Sequence, residues 1–166
     1  MHTLGPAGTN CELAARHWFE RQGAHAEIVL HPTLEDAARA ALATPGGALL
    51  APAAYPDLHT LMYVHIGQLT IVDSLVMPTH PMVLARRPGV EIITSVSSHP
   101  APVALIPEGT KVELVSSNAR AASDCAAGRS DGCITTSAAM AENGLELVQD
   151  FGALSMAFTV HLPSDS

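Results

Sequence analysis

In its first fifty residues the chain alternates short apolar runs with alanine-rich stretches, and Gly, Pro or a capping residue marks each junction. An apolar strand ends at Leu4, and a helix is expected over Cys11–Gln22, with Leu13, Ala14, Trp18 and His17 facing inward and Gly23 as its stop. Ala26–Leu30 reads as a strand. Thr33-Leu34-Glu35-Asp36 is a capping signal for a second helix reaching Ala43, which Pro45-Gly46-Gly47 ends before a strand at Ala48–Ala51. Strand, helix, strand, helix, strand over so short a length is the pattern of right-handed parallel crossovers, so a small parallel sheet covered by helices is expected.

From Pro52 to Gly67 the periodicity is poor, as where a chain leaves one lobe, and this segment is expected to face a cleft. Leu69–Met77 and Met82–Arg86 read as strands about the bend Pro78-Thr79-His80-Pro81, a candidate hinge. Glu91–Val96 is the next strand, followed by Ser97-Ser98-His99-Pro100 and a helix kept short by Pro102 and Pro107. Val112–Val115 is another strand, and Asn118 or Ser117 caps a helix through Ala127 that Gly128 ends. Cys133-Ile134 runs into Thr135-Thr136-Ser137, the start of a helix over Ala138–Asn143, and strands follow at Leu145–Val148 and Met156–His161. The expectation is therefore an α/β fold of two small lobes with a central cleft in one domain, 1–166. Lobe 1 is expected over about 1–60 with the C-terminal strand, and lobe 2 over about 69–150.

A net charge of −8, with eight Lys and Arg in all and only Arg86-Arg87 adjacent, excludes a nucleic-acid surface. No stretch approaches the roughly 18 uninterrupted apolar residues of a membrane span, and no basic segment precedes an apolar run at the N-terminus. A cytoplasmic protein with no membrane partner is expected. Cys11, Cys125 and Cys133 are odd in number and form no C-x-x-C, and nine histidines include no H-E-x-x-H, so neither metal nor cofactor is expected. The sequence leaves a homodimer open.

The chemistry gathers at the carboxyl ends of the expected strands, where open α/β sheets bind ligands. Leu4-Gly5-Pro6-Ala7-Gly8-Thr9-Asn10-Cys11-Glu12 runs from a strand through glycines to a helix start, with Thr9 or Asn10 as cap, and unpaired N–H groups there suit a carboxylate or phosphate. Ser98-His99, Ser116-Ser117-Asn118 and Thr135-Thr136 occupy equivalent places. His99 reads either as a general acid or as a structural hydrogen-bond donor, and Tyr55 carries the same two readings. Arg120 either clamps a carboxylate or lies solvated on its helix. No G-x-S-x-G surrounds a serine and no acid is placed to orient His99, so a hydrolase triad has no support.

Leu4-Gly5-Pro6-Ala7-Gly8-Thr9, Ser98-His99-Pro100, Ser117-Asn118-Ala119-Arg120-Ala121-Ala122, Cys133-Ile134-Thr135 and Gly144-Leu145-Glu146-Leu147 through Asp150 resemble, in order, the signatures of the prephenate dehydratase catalytic domain. The resemblance covers nearly the whole chain. It implies two lobes like those of type II periplasmic binding proteins, with prephenate bound between them. Where many dehydratases continue into a phenylalanine-sensing ACT domain, this sequence stops at Ser166, so that route of feedback is not expected.

Two departures matter. Dehydratases carry Thr-Arg-Phe near the C-terminus, the threonine helping to expel the ring hydroxyl, whereas this chain has Met156-Ala157-Phe158. The family's Pro-Ile-Glu-Asn-Ser aligns with Pro52-Ala53-Ala54-Tyr55-Pro56. With Thr9-Asn10-Cys11-Glu12, Tyr55-Pro56-Asp57-Leu58-His59, Ser98-His99-Pro100-Ala101-Pro102 and Asp131-Gly132-Cys133-Ile134-Thr135-Thr136, the chain looks like the prephenate decarboxylases of bacilysin-type antibiotic pathways. That resemblance implies decarboxylation without aromatisation. His99 or Tyr55, or a water they hold, would supply the proton; Thr9, Asn10, Cys11, Ser98, Ser116, Ser117, Asn118, Arg120 and Thr135 would bind substrate, and Met156 and Phe158 would line the ring. The alternatives are a dehydratase giving phenylpyruvate and a non-catalytic small-anion binder.

Overall fold

The computed structural model describes residues 1–164, so the last two residues of the expected domain lie outside the described residues. The chain forms two compact units, one of Met1–Thr79 with the chain from Ser155 onward, the other of His80–Leu154.

Unit 1 contains β1 (His2–Leu4), α1 (Asn10–Gln22), β2 (Val29–His31), α2 (Leu34–Ala43), β3 (Leu49–Pro52), α3 (Leu58–Val64) and β4 (Leu69–Pro78), and the last strand of the chain, β10 (Ser155–Pro163), returns to it. The sheet order is β2-β1-β3-β10-β4. β1 lies parallel to β2 and β3, as two successive crossovers require, and β10 is antiparallel to both β3 and β4. Alternation along β3 sends Leu50 to one face and Leu49 and Ala51 to the other, so the sheet is covered on both sides. On the first face Cys11, Ala14 and Ala15 of α1 pack against Leu50, Leu75, Met77, Phe158 and Val160. On the second, Leu34, Ala37, Ala38 and Ala41 form the i, i+3, i+4, i+7 stripe of α2, and Leu61 joins them from α3.

The boundaries follow local chemistry. Thr33 accepts from the Asp36 N–H at 3.1 Å, closing the expected cap of α2. Gly23 ends α1 in the left-handed region at φ 63°, where a side chain is strained. Four expectations fail here. His17 is exposed, because α1 buries the stripe through Cys11, Ala14 and Ala15, and His17 falls to one side of it. The expected strand Ala26–Leu30 is confined to Val29–His31, the stretch in register with β1. The segment after Pro52, read as irregular, contains α3. Finally β4, expected in the second lobe, pairs with β10 from Ser155↔Pro78 to Pro163↔Leu69 and belongs to this sheet.

Unit 2 contains β5 (Met82–Arg86), β6 (Ser95–Ser98), a single 3-10 turn (Val103–Leu105), β7 (Lys111–Leu114), α4 (Asn118–Ala126), β8 (Gly132–Thr136), α5 (Ser137–Glu142) and β9 (Glu146–Gly152), in sheet order β7-β6-β8-β5-β9. β6 runs parallel to β7 and β8, while β5 is antiparallel to β8 and β9. Four strands in one direction with one reversed, second from the edge, repeat the arrangement of unit 1. Ala121, Ala122 and Cys125 of α4 pack with Val83, Ala85 and Cys133 on one face, and Met82, Leu84, Val96 and Ile134 fill the other. β6 starts later than the expected Glu91, because Asp131 ties the preceding residues into a loop. Its carboxylate accepts from the Thr94 N–H at 2.9 Å, the Thr94 hydroxyl at 2.6 Å and the Ser95 N–H at 3.1 Å. Those bonds, led by the Thr94 hydroxyl, hold the Asp131 carboxyl down at about 2.

Candidate active site

In unit 2 the parallel strands β6, β7 and β8 end side by side, and their ends carry the polar residues singled out from the sequence. Ser98 is fully buried, and its Oγ donates to the His99 carbonyl at 2.9 Å. His99 is partly buried, and its Nδ1 accepts from the Ala101 N–H at 3.2 Å. An acceptor Nδ1 carries no proton, so the neutral ring holds its proton on Nε2 and presents it as a donor. Burial also lowers the His99 pKa below its ordinary value. Of the next junction, Ser116 is exposed, and Ser117 is the cap of α4, accepting from the Arg120 N–H at 3.1 Å. Thr135 is fully buried, and its hydroxyl donates to the Asn118 carbonyl at 2.7 Å, which joins the end of β8 to the first residue of α4. Thr136 caps α5 by accepting from the Ala139 N–H at 3.2 Å.

Asn118 is the least satisfied of these groups. Its Oδ1 is buried without a hydrogen-bond partner among the described residues, and its Nδ2 reaches only the Met82 sulfur at 3.8 Å. A buried amide left in this way costs free energy that a ligand can recover. Arg120 is the opposite case. Its Nε binds Asp124 at 2.8 Å on the same helix, and Arg129 binds the same carboxylate, so the expected carboxylate clamp already has an intramolecular partner.

In unit 1 the loop from Gly5 to Thr9 follows β1. Thr9 occupies the cap position of α1, but its hydroxyl makes no cap bond and lies 3.4 Å from the Leu4 carbonyl. The anion seat read from the sequence is partly filled from within: Glu12 accepts from the Gly8 N–H at 2.8 Å and from Arg16 at 2.5 Å. Burial raises the Glu12 carboxyl, and those two bonds outweigh it, leaving its pKa below the ordinary value. Asn10 is partly buried at the start of α1. Cys11 is buried in the core, where desolvation, opposed by a bond to Thr3, pushes its thiol up to about 12; it packs and does not present a thiolate. Phe158, expected to line a ring, is likewise fully buried in that core, and Met156 packs partly buried against it.

Tyr55 follows β3, and its O–H donates to Glu35 Oε2 at 2.9 Å. Burial first, and then this carboxylate, raises the phenol's pKa above its ordinary value. Glu35 belongs to the first turn of α2, which begins just past the carboxyl end of β2, so both residues stand at the ligand-binding end of the parallel strands. Glu35 also borders a pocket of about 200 Å³, mostly apolar, with Arg39, Thr60, Leu61, Val64 and His65. The sequence marks Glu35 only as a neighbour of the capping Asp36, and its partner lies twenty residues on. Among the described residues no group of three or more His, Cys, Asp or Glu could hold a metal ion.

No family model matches the chain. It is 31% identical to a prephenate decarboxylase of Bacillus subtilis (strain 168) over 175 residues, an alignment covering 96% of this chain and 84% of that protein. Its fold superimposes on a prephenate dehydratase of Arthrobacter aurescens, solved in complex with L-Phe, with a TM-score of 0.80 at 22% identity; the match takes in 99% of this chain and 60% of that one. A periplasmic His/Glu/Gln/Arg/opine family-binding protein of Silicibacter pomeroyi, in complex with lysine, gives a TM-score of 0.51 at 14% identity over 98% of this chain. The two structural likenesses show the fold, one shared by prephenate dehydratase catalytic domains and periplasmic binding proteins. The sequence likeness reaches further: the chain belongs to the prephenate decarboxylase family.

Proposed function

We propose that this chain is a carboxy-lyase that removes CO2 from prephenate and leaves the ring hydroxyl in place. The bond from the ring to its carboxylate breaks, its electron pair enters the ring diene, and a ring carbon takes a proton, giving a dihydro-4-hydroxyphenylpyruvate and CO2. A dehydratase would use the same electron pair to expel the hydroxyl as water and form aromatic phenylpyruvate.

The observation that carries the reading is the stretch Met156-Ala157-Phe158 on β10. It pairs with Met77, Val76 and Leu75 of β4 and offers neither hydroxyl nor guanidinium where dehydratases carry Thr-Arg-Phe. A leaving hydroxyl needs a proton, and this segment has none to give. Each unit also offers polar groups of the kind that hold a carboxylate: Thr9 and Asn10 in unit 1, and Ser117 and Asn118 in unit 2 with Ser98, Ser116 and Thr135 about them. His99, with its Nε2 proton facing away from the Ala101 contact, is our choice of proton donor.

The wider setting is part of the same reading. We place the enzyme in the cytoplasm, where three free cysteines are stable, and in a bacilysin-type antibiotic pathway. A homodimer would use β4, an edge strand whose Ile71, Val72 and Val76 side chains are 56%, 50% and 71% exposed. A two-fold antiparallel pairing of this strand with its copy would cover that apolar row.

The test is incubation with prephenate, following CO2 and the ultraviolet absorbance of phenylpyruvate in one reaction. One CO2 per prephenate with no phenylpyruvate is expected. Stoichiometric phenylpyruvate would restore the dehydratase reading, and saturable binding without turnover would leave an anion-binding module.

A further inference from the structure

Three observations in unit 1 bear on how the ring hydroxyl survives. Tyr55 and Glu35 both stand at the carboxyl ends of the parallel strands, one after β3 and the other after β2. The phenol is 2.9 Å from Glu35 Oε2 in a donor's geometry. Glu35 lies in the first turn of α2, a helix that buries Leu34, Ala37, Ala38 and Ala41, so the core fixes the backbone from which the carboxylate reaches Tyr55.

A phenol has one proton to donate and lone pairs with which to accept. With its proton engaged in the bond to Glu35, the Tyr55 oxygen meets any ligand as an acceptor. Resting on the prephenate reading above, we infer that Glu35 is a specificity-determining positioning residue: it turns Tyr55 into an acceptor for the substrate's ring hydroxyl and so keeps that hydroxyl in the product. Expulsion of the hydroxyl requires a proton on its oxygen. An acceptor takes up the hydroxyl's own hydrogen and brings no second one, while a donor at the same place would assist departure. Tyr55 in this state does not protonate the ring, which leaves that role to another group.

This geometry adds to the loss of hydroxyl and guanidinium at Met156-Ala157. That departure removes one donor to the leaving oxygen, and the Glu35 bond prevents Tyr55 from becoming a replacement. The two devices lie on different elements, β10 and the pair α2 with the turn after β3, so they can be separated by mutation.

The experiment measures CO2 and phenylpyruvate together for the wild type, Glu35→Ala, Tyr55→Phe and the double variant, with folding checked by circular dichroism. Wild type releasing CO2 without phenylpyruvate upholds the parent reading; stoichiometric phenylpyruvate from it overturns that reading and this one with it. With the parent reading upheld, Glu35→Ala frees the phenol proton, and the phenylpyruvate share of turnover is expected to rise from below detection to at least roughly tenfold above that limit, the scale of one hydrogen bond in a transition state. Tyr55→Phe shows no such rise, and the double variant returns to the Tyr55→Phe level. An unchanged share in folded Glu35→Ala, or the same rise in the double variant, overturns the inference. Should Glu35→Ala fail to fold, Glu35→Gln keeps the side chain's size with a weaker, neutral acceptor, and a rise of at least about threefold is expected. No rise there overturns it equally.

Discussion

The hydroxyl of Thr135 donates to the backbone carbonyl of Asn118 at 2.7 Å, from a side chain with no exposure to solvent. This bond couples the end of β8 to the start of α4, so the residue that caps the helix, Ser117, and the one with the unsatisfied amide, Asn118, are held against a strand. Thr135→Val keeps the shape and removes the donor, leaving the Asn118 carbonyl with its helical partner alone. Unit 2 should lose about 0.5–1.5 kcal/mol of stability. Thr135→Ser should retain most of it. Urea unfolding of the three proteins, read against the KM for prephenate, checks both the loss and its transmission to the site.

His161 gives unit 1 a pH dependence. It is fully buried on β10, with Nε2 2.8 Å from the Thr159 hydroxyl and Nδ1 without a partner among the described residues. Burial lowers its folded pKa below 6.5, so between the two pKa values the unfolded chain binds the proton and the folded chain does not. Stability therefore rises with pH through that window and is fully present above about 6.5. His2, also lowered by burial and then by the N-terminal amine and His31, adds to the same slope. The unfolding free energy should fall as pH drops below about 6.5, and His161→Leu should make the fall shallower. A slope identical in the variant would remove His161 from the account.

Much of this architecture is legible in local chemistry. Thr33, Ser117 and Thr136 lie one residue before helices and accept N–H bonds, and Gly23 adopts the conformation that only a glycine takes easily. Such signals are short-range, so spacing reveals them. α3 escaped because its seven residues have no side-chain cap bond and stand beside Pro56 and Gly67, so that only Leu61 is buried and no stripe repeats. The assignment of β4 to a lobe needed the β10 pairing, which joins residues more than seventy apart in sequence. In the candidate site, residue types at strand ends were readable and their partners were not. Glu12 on Gly8, Asp124 on Arg120 and Glu35 on Tyr55 each decide whether a polar group is free, and the last of these is a purely tertiary contact.

β4 should control self-association. Its ten residues hold no Lys, and its only Pro is the last residue, so two common protections of an edge strand are absent. Ile71→Lys with Val76→Lys puts positive charges along the exposed edge, which repel those of a second copy, and leaves the buried Leu75 and Met77 untouched. Sedimentation is expected to give a dimer for the wild type and a monomer for the double variant, with the same circular dichroism. A wild type that stays monomeric at about 100 μM, well above the micromolar range of a standard interface, would reject the dimer.

The pH dependence of turnover should report His99. Its pKa is lowered by burial in the free protein, and charging the ring puts a proton on Nδ1 in exchange for the bond from the Ala101 N–H, leaving Nε2 to pass its proton to a ligand. As proton donor to the ring, His99 acts in its charged form. Then kcat/KM, which reads the free enzyme, should fall as pH rises through a value below 6.5, by about tenfold per unit. Prephenate brings two negative charges, and a carboxylate close to the imidazolium favours its charged form. The corresponding fall in kcat, which reads the complex, should therefore lie at higher pH than that in kcat/KM. His99→Gln should lose about 10²–10⁴ in kcat and both pH limbs with it, the usual scale for a positioned acid. Rates measured from pH 5 to 9 on both proteins decide the matter: a profile in His99→Gln that keeps the wild-type limb assigns the titration, and the proton, to another group.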